Sequence, residues 1–247
     1  MSTGIWAAVS GAVSQTNALD VAANNVANAS TPGFRADREL FQQTLANAQG
    51  QGGDPSLRYS VVRSVRPDLQ AGQIVSTNRN LDVALRGTEN YFVVSTPQGE
   101  RYTRAGHMSV GADGTLTTGD GKPYLGADRR PIRVPPESGT VTFAPDGSLL
   151  VDGAESGSKL AVVTFRNQAG LEKEGDVLLR ARPEAGRAMP ASDVALEVGA
   201  LELSNSSAIA GMTSLVTASR SFEMLTKVIE AFSQADRLAA TNIMKPG

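Results

Sequence analysis

The chain has 247 residues, a formal net charge of -2 and no cysteine. The length allows one large domain or two small ones, and the missing cysteine excludes disulfides, thiolate metal sites and cysteine nucleophiles. Near-neutral charge without a Lys/Arg-rich block argues against nucleic-acid or anionic-membrane binding. Aromatics are only 5%, so Val, Leu, Ala and Ile must build the core, and 25 glycines point to many tight turns. No apolar run reaches the roughly 18 residues of a membrane span. Residues 1–34 hold no Lys or Arg, so a secretory n-region is missing, and export, if it occurs, is expected to use another route.

The first predicted element runs from Ser2 to about Ala29. Ile5, Val9, Ala12, Thr16, Leu19, Ala23 and Val26 recur in alternating steps of four and three, a heptad rhythm on one helix face. Asp20 is the only charge before Arg35. A water-facing helix ordinarily carries a charged outer face, so this one is expected to make contacts on several sides. Thr31-Pro32-Gly33 ends it. A polar, Gly-rich stretch at 47–56 reads as a loop.

From about 57 to 200 the pattern is β. Leu81, Val83 and Leu85 alternate with Asp82, Ala84 and Arg86. Further strands are predicted at Tyr59–Val65, Tyr91–Ser95, Arg101–Arg104, Ile132–Val134, Val141–Phe143, Leu149–Val151, Leu160–Phe165 and Val177–Ala181. Asp-Gly pairs at 113, 120, 146 and 152 supply hairpin turns. Many short strands with frequent turns indicate an antiparallel sandwich or barrel-like domain.

Helical periodicity returns at about Ser204. One stripe runs Leu215, Ala218, Phe222, Leu225, Ile229, Phe232, with weaker members at Ala239 and Ile243; a second holds Met212, Val216, Met224, Val228, Ala231, Ala235 and Leu238. Neither Pro nor Gly interrupts residues 212–245, so the helix spans roughly 50 Å at 1.5 Å per residue.

The expected class is therefore α+β: N- and C-terminal helices paired as a coiled coil around a central all-β, antiparallel domain. The expected divisions are an N-terminal helix and turn over 1–35, an extended connector over 36–80, a β domain over 81–203 and a C-terminal helix over 204–247. Pairing still leaves apolar surface on both helices. Burying one large aliphatic side chain stabilises by about 1.5–3 kcal/mol, so association with further copies is expected.

Catalytic chemistry is poorly represented. His107 is the only histidine, and no G-x-S-x-G elbow exists. Gly119-Asp120-Gly121-Lys122-Pro123 lacks both the spacing and the hydroxyl of a phosphate loop. The Asp-Gly pairs lack an EF-hand's ligand series. No cofactor, metal, small-molecule substrate or nucleic acid is expected. A glycoside hydrolase needs two carboxylates about 5–10 Å apart, which sequence cannot place. That class stays open as a cell-wall hydrolase, beside a phage-tail-type carbohydrate-binding module.

The stretch Ala23-Asn24-Asn25-Val26-Ala27-Asn28-Ala29-Ser30-Thr31-Pro32-Gly33-Phe34-Arg35 resembles the N-terminal signature of bacterial flagellar rod and hook proteins. Leu81–Gly87, Tyr91–Val94 and Tyr102-Thr103-Arg104-Ala105-Gly106 resemble that family's central domain. Leu201-Glu202-Leu203-Ser204-Asn205 and Arg220-Ser221-Phe222-Glu223-Met224 resemble its C-terminal segment. Within the family the pattern is most like the proximal-rod type. Distal-rod or hook-type members are the alternative, and the departure of Gly87-Thr88-Glu89-Asn90-Tyr91-Phe92 from the distal pattern counts against the distal rod.

The resemblance implies a structural, non-enzymatic subunit of the periplasm-spanning basal-body rod. Its terminal helices would line a torque-transmitting tube around the export channel. It would pass through the flagellar type III export apparatus without a cleaved signal, and its partners would be copies of itself and other rod proteins. The expected assembly interface comprises Ile5, Val9, Leu19, Asn24, Asn25, Val26, Asn28, Phe34, Leu215, Phe222, Leu225, Val228, Ile229 and Phe232. Asn amides both donate and accept, which suits Asn24, Asn25 and Asn28 either to free helix-end carbonyls or to a neighbouring subunit. Phe34 is expected to anchor the turn, against a helix or in a local core.

Overall fold

The computed structural model describes residues 3–45, 58–135, 138–192 and 194–243; the loop expected at 47–56 lies outside them. The chain forms two compact units. One comprises Met1–Ala27, Asp37–Arg66 and Ser207–Gly247; the other comprises Asn28–Ala36 and Pro67–Ser206.

The first unit holds two helices, α1 (Thr3–Ala27) and α2 (Ala208–Ile243), and a two-stranded sheet of β1 (Asp37–Leu45) and β2 (Arg58–Pro67). The helices lie side by side and antiparallel. Gly4 sits beneath the Phe232 ring, Gly11 against Leu225, and Val26 against Gly211. A Cβ at Gly4 would come within 2.9 Å of Phe232, and one at Gly211 within 2.5 Å of Val26.

This geometry corrects the expected coiled coil. Such a pairing needs bulky knobs from both helices. On α1 the contact line is instead Gly4, Ala8, Gly11 and Ala22, which repeats the heptad steps one residue ahead of the predicted stripe. One residue turns the face by about 100°, so Thr16 and Ala23 of that stripe are exposed and Ile5, Val9 and Leu19 only half-buried. Most of the bulk comes from α2 and lies on a Gly/Ala surface, with Val26 of α1 in the reverse arrangement against Gly211. The pattern counted apolar size, whereas the closest approach goes to the smallest residues. On α2 the contact face does follow the first stripe, with Leu225 and Phe232 turned to α1 and Ala218 buried.

The second unit is β and completes the α+β class. Its strands are β3 (Ile74–Ser76), β4 (Val83–Leu85), β5 (Asn90–Thr96), β6 (Gly99–Thr103), β7 (Ser109–Val110), β8 (Leu116–Thr117), β9 (Val141–Phe143), β10 (Ser148–Val151) and β11 (Ala154–Lys159). They continue with β12 (Val162–Thr164), β13 (Leu171–Glu174), β14 (Leu178–Ala181), β15 (Met189–Pro190), β16 (Leu196–Val198) and β17 (Ala200–Glu202). A six-stranded sheet has the order β13-β14-β6-β5-β12-β15, and a three-stranded one the order β11-β10-β9. β4 pairs with β16, β3 with β17 and β7 with β8, and every one of these pairings is antiparallel.

β5 explains the sheet's burial. Phe92 and Val94 join one core with Val83, Leu116, Tyr124 and Leu149. Tyr91 and Val93, of opposite parity, join a second with Tyr102, Phe165 and Leu179. Both faces are covered, which is why Tyr91–Val94 reads as a continuous apolar run rather than an alternation. Asp82 and Ala84, of opposite parity to Val83 and Leu85, are buried as well. Asp152-Gly153 turns β10 into β11 with φ of +52° and +82°, the double positive φ that a two-residue hairpin demands. The strand predicted at 132–134 is reduced to one isolated bridge, Arg133 to Thr115.

The candidate assembly site

Two arrangements stand out as candidate sites. The first lies in the β unit, where the chain arrives through residues 33–36 and leaves through 202–205. The Gly33 amide donates to the Glu202 carbonyl at 2.8 Å. A Cβ at Gly33 would stand 2.2 Å from the Ala105 nitrogen, and φ there is +72°, so only glycine fits this approach. Ala36 N donates to Asn205 Oδ1 at 2.6 Å, while Asn205 Nδ2 donates to the Asp68 and Gln70 carbonyls at 2.9 Å each.

Between these contacts lies a buried ionic group. Glu202 faces Arg35 at 2.8 Å and Arg104 at 2.7 Å, with no side chain more than 3% exposed. Glu202 Oε1 also accepts the Gly72 amide at 2.9 Å. Arg104 donates onward to the carbonyls of Leu85 and Asn90. Burial pushes the Arg35 guanidinium below its usual range, against the opposing pull of Glu202. Two buried cations share one carboxylate, and the Arg35 Nε donor finds no hydrogen-bond partner among the described residues, so the group depends on close ionic geometry. The three segments that resemble one family in sequence thus meet at a single point in the β unit.

Phe34 is fully buried there, with Lys173 Nζ 3.6 Å over its ring and donating to the Arg35 carbonyl at 2.9 Å. It fixes the turn inside its own chain. Asn28 Oδ1 accepts the Thr31 hydroxyl at 3.1 Å, tightening the same turn.

The second arrangement is the outer surface of the helix pair. Trp6 and Val13 on α1 are each 58% exposed. On α2, Ile209, Met212, Val216, Met224, Val228 and Leu238 are exposed, Ile209 at 80%. Phe222 stands at the margin, and Leu215, Leu225, Ile229 and Phe232 are half-buried on the inner side. Val26 is spent on Gly211. Asn24 is exposed. Asn25 uses both amide atoms on one backbone position, accepting from Asp37 N at 2.7 Å and donating to Asp37 O at 2.9 Å, which pins the start of β1 to the end of α1.

Of the expected interface residues, Val26, Leu225 and Phe232 join α1 to α2, Phe222 and Val228 lie beside the exposed stripe, Asn28 and Phe34 hold the turn, and Ile5, Val9 and Leu19 stand off the contact line. Trp6, Val13 and Ile209, exposed on the same two helices, lie outside the predicted stripes. Glu202, Arg104 and Asn205 were read only as parts of a pattern. The signal for Glu202 was present as a lone carboxylate in the apolar run Leu201-Glu202-Leu203.

Three family descriptions match the chain. Residues 5–35 match flagella basal body rod protein, residues 84–151 the flagellar hook protein FlgE/F/G D1 domain, and residues 197–242 flagellar basal body rod FlgEFG protein C-terminal. The chain is 36% identical over 239 residues to the flagellar basal-body rod protein FlgF of Salmonella typhimurium, covering 91% of this chain and 92% of the relative. It is 30% identical over 246 residues to FlgG of Bacillus subtilis, covering 91% and 93%. FlgF of Caulobacter vibrioides aligns over 99% of both chains at 27% identity.

Proposed function

Because the chain belongs to the flagellar basal-body rod protein family, we infer how its two units serve a rod subunit. The protein is a structural component of the bacterial flagellar basal body and assembles with other flagellar components. Its place is the proximal rod. There the helix pair packs against copies of itself and other rod proteins, in a torque-transmitting tube around the export channel, which the chain reaches through the flagellar type III export apparatus.

The observation that carries this reading is the apolar stripe on the outer side of α2, from Met212 to Leu238, joined by Trp6 and Val13 of α1. Large apolar side chains held in water along one helix favour association. Val228→Asp should stop incorporation into basal bodies while the β unit keeps its melting transition. Normal incorporation of that variant would remove the helix pair from the assembly surface.

A distal position is the second reading, favoured by the match to relatives named FlgG over nine-tenths of the chain. A position-specific label on purified basal bodies separates the two. A structural rather than catalytic role is supported by how the buried carboxylates are engaged. Glu202 is held by two arginines. Asp82 accepts the Thr77 hydroxyl at 2.8 Å and lies 2.9 Å from His107 Nδ1. Release of peptidoglycan fragments by the purified protein would contradict this role.

A further inference from the structure

We propose that the incoming segment 33–36 and the outgoing segment 202–205 form a mechanical clamp, loaded in shear, that holds the β unit shut when force pulls on its two chain ends. The pairing order carries the inference. Gly33 bonds to Glu202 and Ala36 to Asn205, so a step of three along one segment is a step of three along the other. A third bond, Asn205 N to the Phe34 carbonyl at 3.4 Å, lies between them. The two segments therefore run parallel, although every strand pairing among the described residues of this unit is antiparallel.

Parallel alignment decides how force acts. Tension on the N-terminal side draws residues 33–36 back along their own direction. Tension on the C-terminal side draws 202–205 forward along the same line. The two pulls oppose each other along that line, so the bonds between the segments are strained together and must fail together. In an antiparallel hairpin such as β10–β11, tension at the two open ends breaks the bonds one after another. Side chains reinforce the shear plane. The Arg35–Glu202 ion pair spans it at 2.8 Å in a site almost without solvent, where competing water cannot ease its separation. Asn205 Nδ2 ties the outgoing segment to Asp68 and Gln70.

This deepens the rod reading, because a torque-transmitting subunit must keep its β unit closed under load. It is tested on the isolated full chain, so its failure would leave that reading standing. With handles at the two termini, single-molecule stretching should first open the helix pair. The β unit should then rupture in one discrete event, releasing roughly 600 Å of chain between Asn28 and Ser206 at 3.3–3.6 Å per residue. Asn205→Ala should lower that rupture force. Asn205→Asp, which keeps the oxygen that accepts the Ala36 amide but loses the two donor bonds to the Asp68 and Gln70 carbonyls, should lower it as well. Leu149→Val, which trims the core away from the clamp, should lower the melting temperature without changing the force. A wild-type β unit that unravels in a series of small steps would overturn the clamp. So would an Asn205→Ala rupture force equal to wild type. The wild-type trace and Asn205→Asp decide the question even if Asn205→Ala does not fold.

Discussion

The Asn205 side-chain oxygen accepts the Ala36 amide at 2.6 Å, across 169 residues of chain. That single contact brings the end of the N-terminal signature to the start of the C-terminal segment. The β unit is thereby closed by its own first and last residues, and β3 pairs with β17 beside them.

Glu202 is the ionic centre of that closure. Glu202→Gln leaves two buried guanidinium groups without a counter-charge, and breaking a buried pair costs about 3–5 kcal/mol. The exposed Arg86–Glu197 pair at 3.2 Å is the control; Glu197→Gln should cost at most about 1 kcal/mol. Urea unfolding of the two variants measures the contrast. Equal costs would mean that the buried group contributes no more than a surface pair.

Gly33→Ala should destabilise the β unit by at least about 2 kcal/mol, since it adds a positive-φ penalty to a backbone clash. The added methyl would lie 2.2 Å from the Ala105 nitrogen, and backbone cannot turn aside as a side chain does. A thermal melt matching wild type would show that the turn has another conformation open to it.

The helix pair makes a prediction of opposite sign at two glycines. A Cβ at Gly11 would meet the Leu225 methyl at 3.3 Å, a flexible side-chain end. Gly11→Ala should therefore stabilise by a part of the ~1 kcal/mol that separates Ala from Gly in a helix. At Gly211 the same methyl would stand 2.5 Å from Val26, so Gly211→Ala should destabilise by forcing α1 and α2 apart. Circular dichroism melts at the helical band report both. Two changes of the same sign would contradict the close-packed Gly/Ala contact.

The pH limits of stability follow from two groups. Hydrogen bonds from Arg182 and Arg180 hold Glu172 at about 2. A depressed carboxylate pKa adds stability above its unfolded value near 4.5, and that stability is lost as pH falls toward 2. Tyr124 is fully buried, donates to the Ala105 carbonyl at 2.8 Å, and is pushed above the usual phenol range by burial. Its contribution is complete below the unfolded value near 10 and is lost at higher pH. Glu172→Gln should flatten the acid limb of the pH–stability profile and Tyr124→Phe the alkaline limb. An unchanged limb in either variant removes that assignment.

Period and turn chemistry made much of the fold legible. Val141–Phe143 is the strand that its apolar pattern indicates, and Asp152-Gly153 is the hairpin that its residues demand. Both helices announced themselves through seven-residue repeats. Which face of α1 meets α2 was not legible, because size-based patterns favour Ile5 and Val9 over Gly4 and Ala8. β11, β13 and β17 escaped notice for a related reason. Their sequences, such as Leu171-Glu172-Lys173-Glu174, carry charge that the tertiary fold pairs across strands, as Glu172 opposite Arg180. The ionic group at Glu202 joins residues 35, 104 and 202, and no local window can see such a contact.

The central claim is that the outer face of the helix pair is where this subunit meets its neighbours. The chain has no cysteine, so Met224→Cys places a single thiol on that face, at a position 61% exposed. The rate at which a water-soluble maleimide labels it should be compared between purified monomer and purified basal bodies. Fast labelling is expected in the monomer and strong protection in the basal body. Equal labelling in both would contradict it.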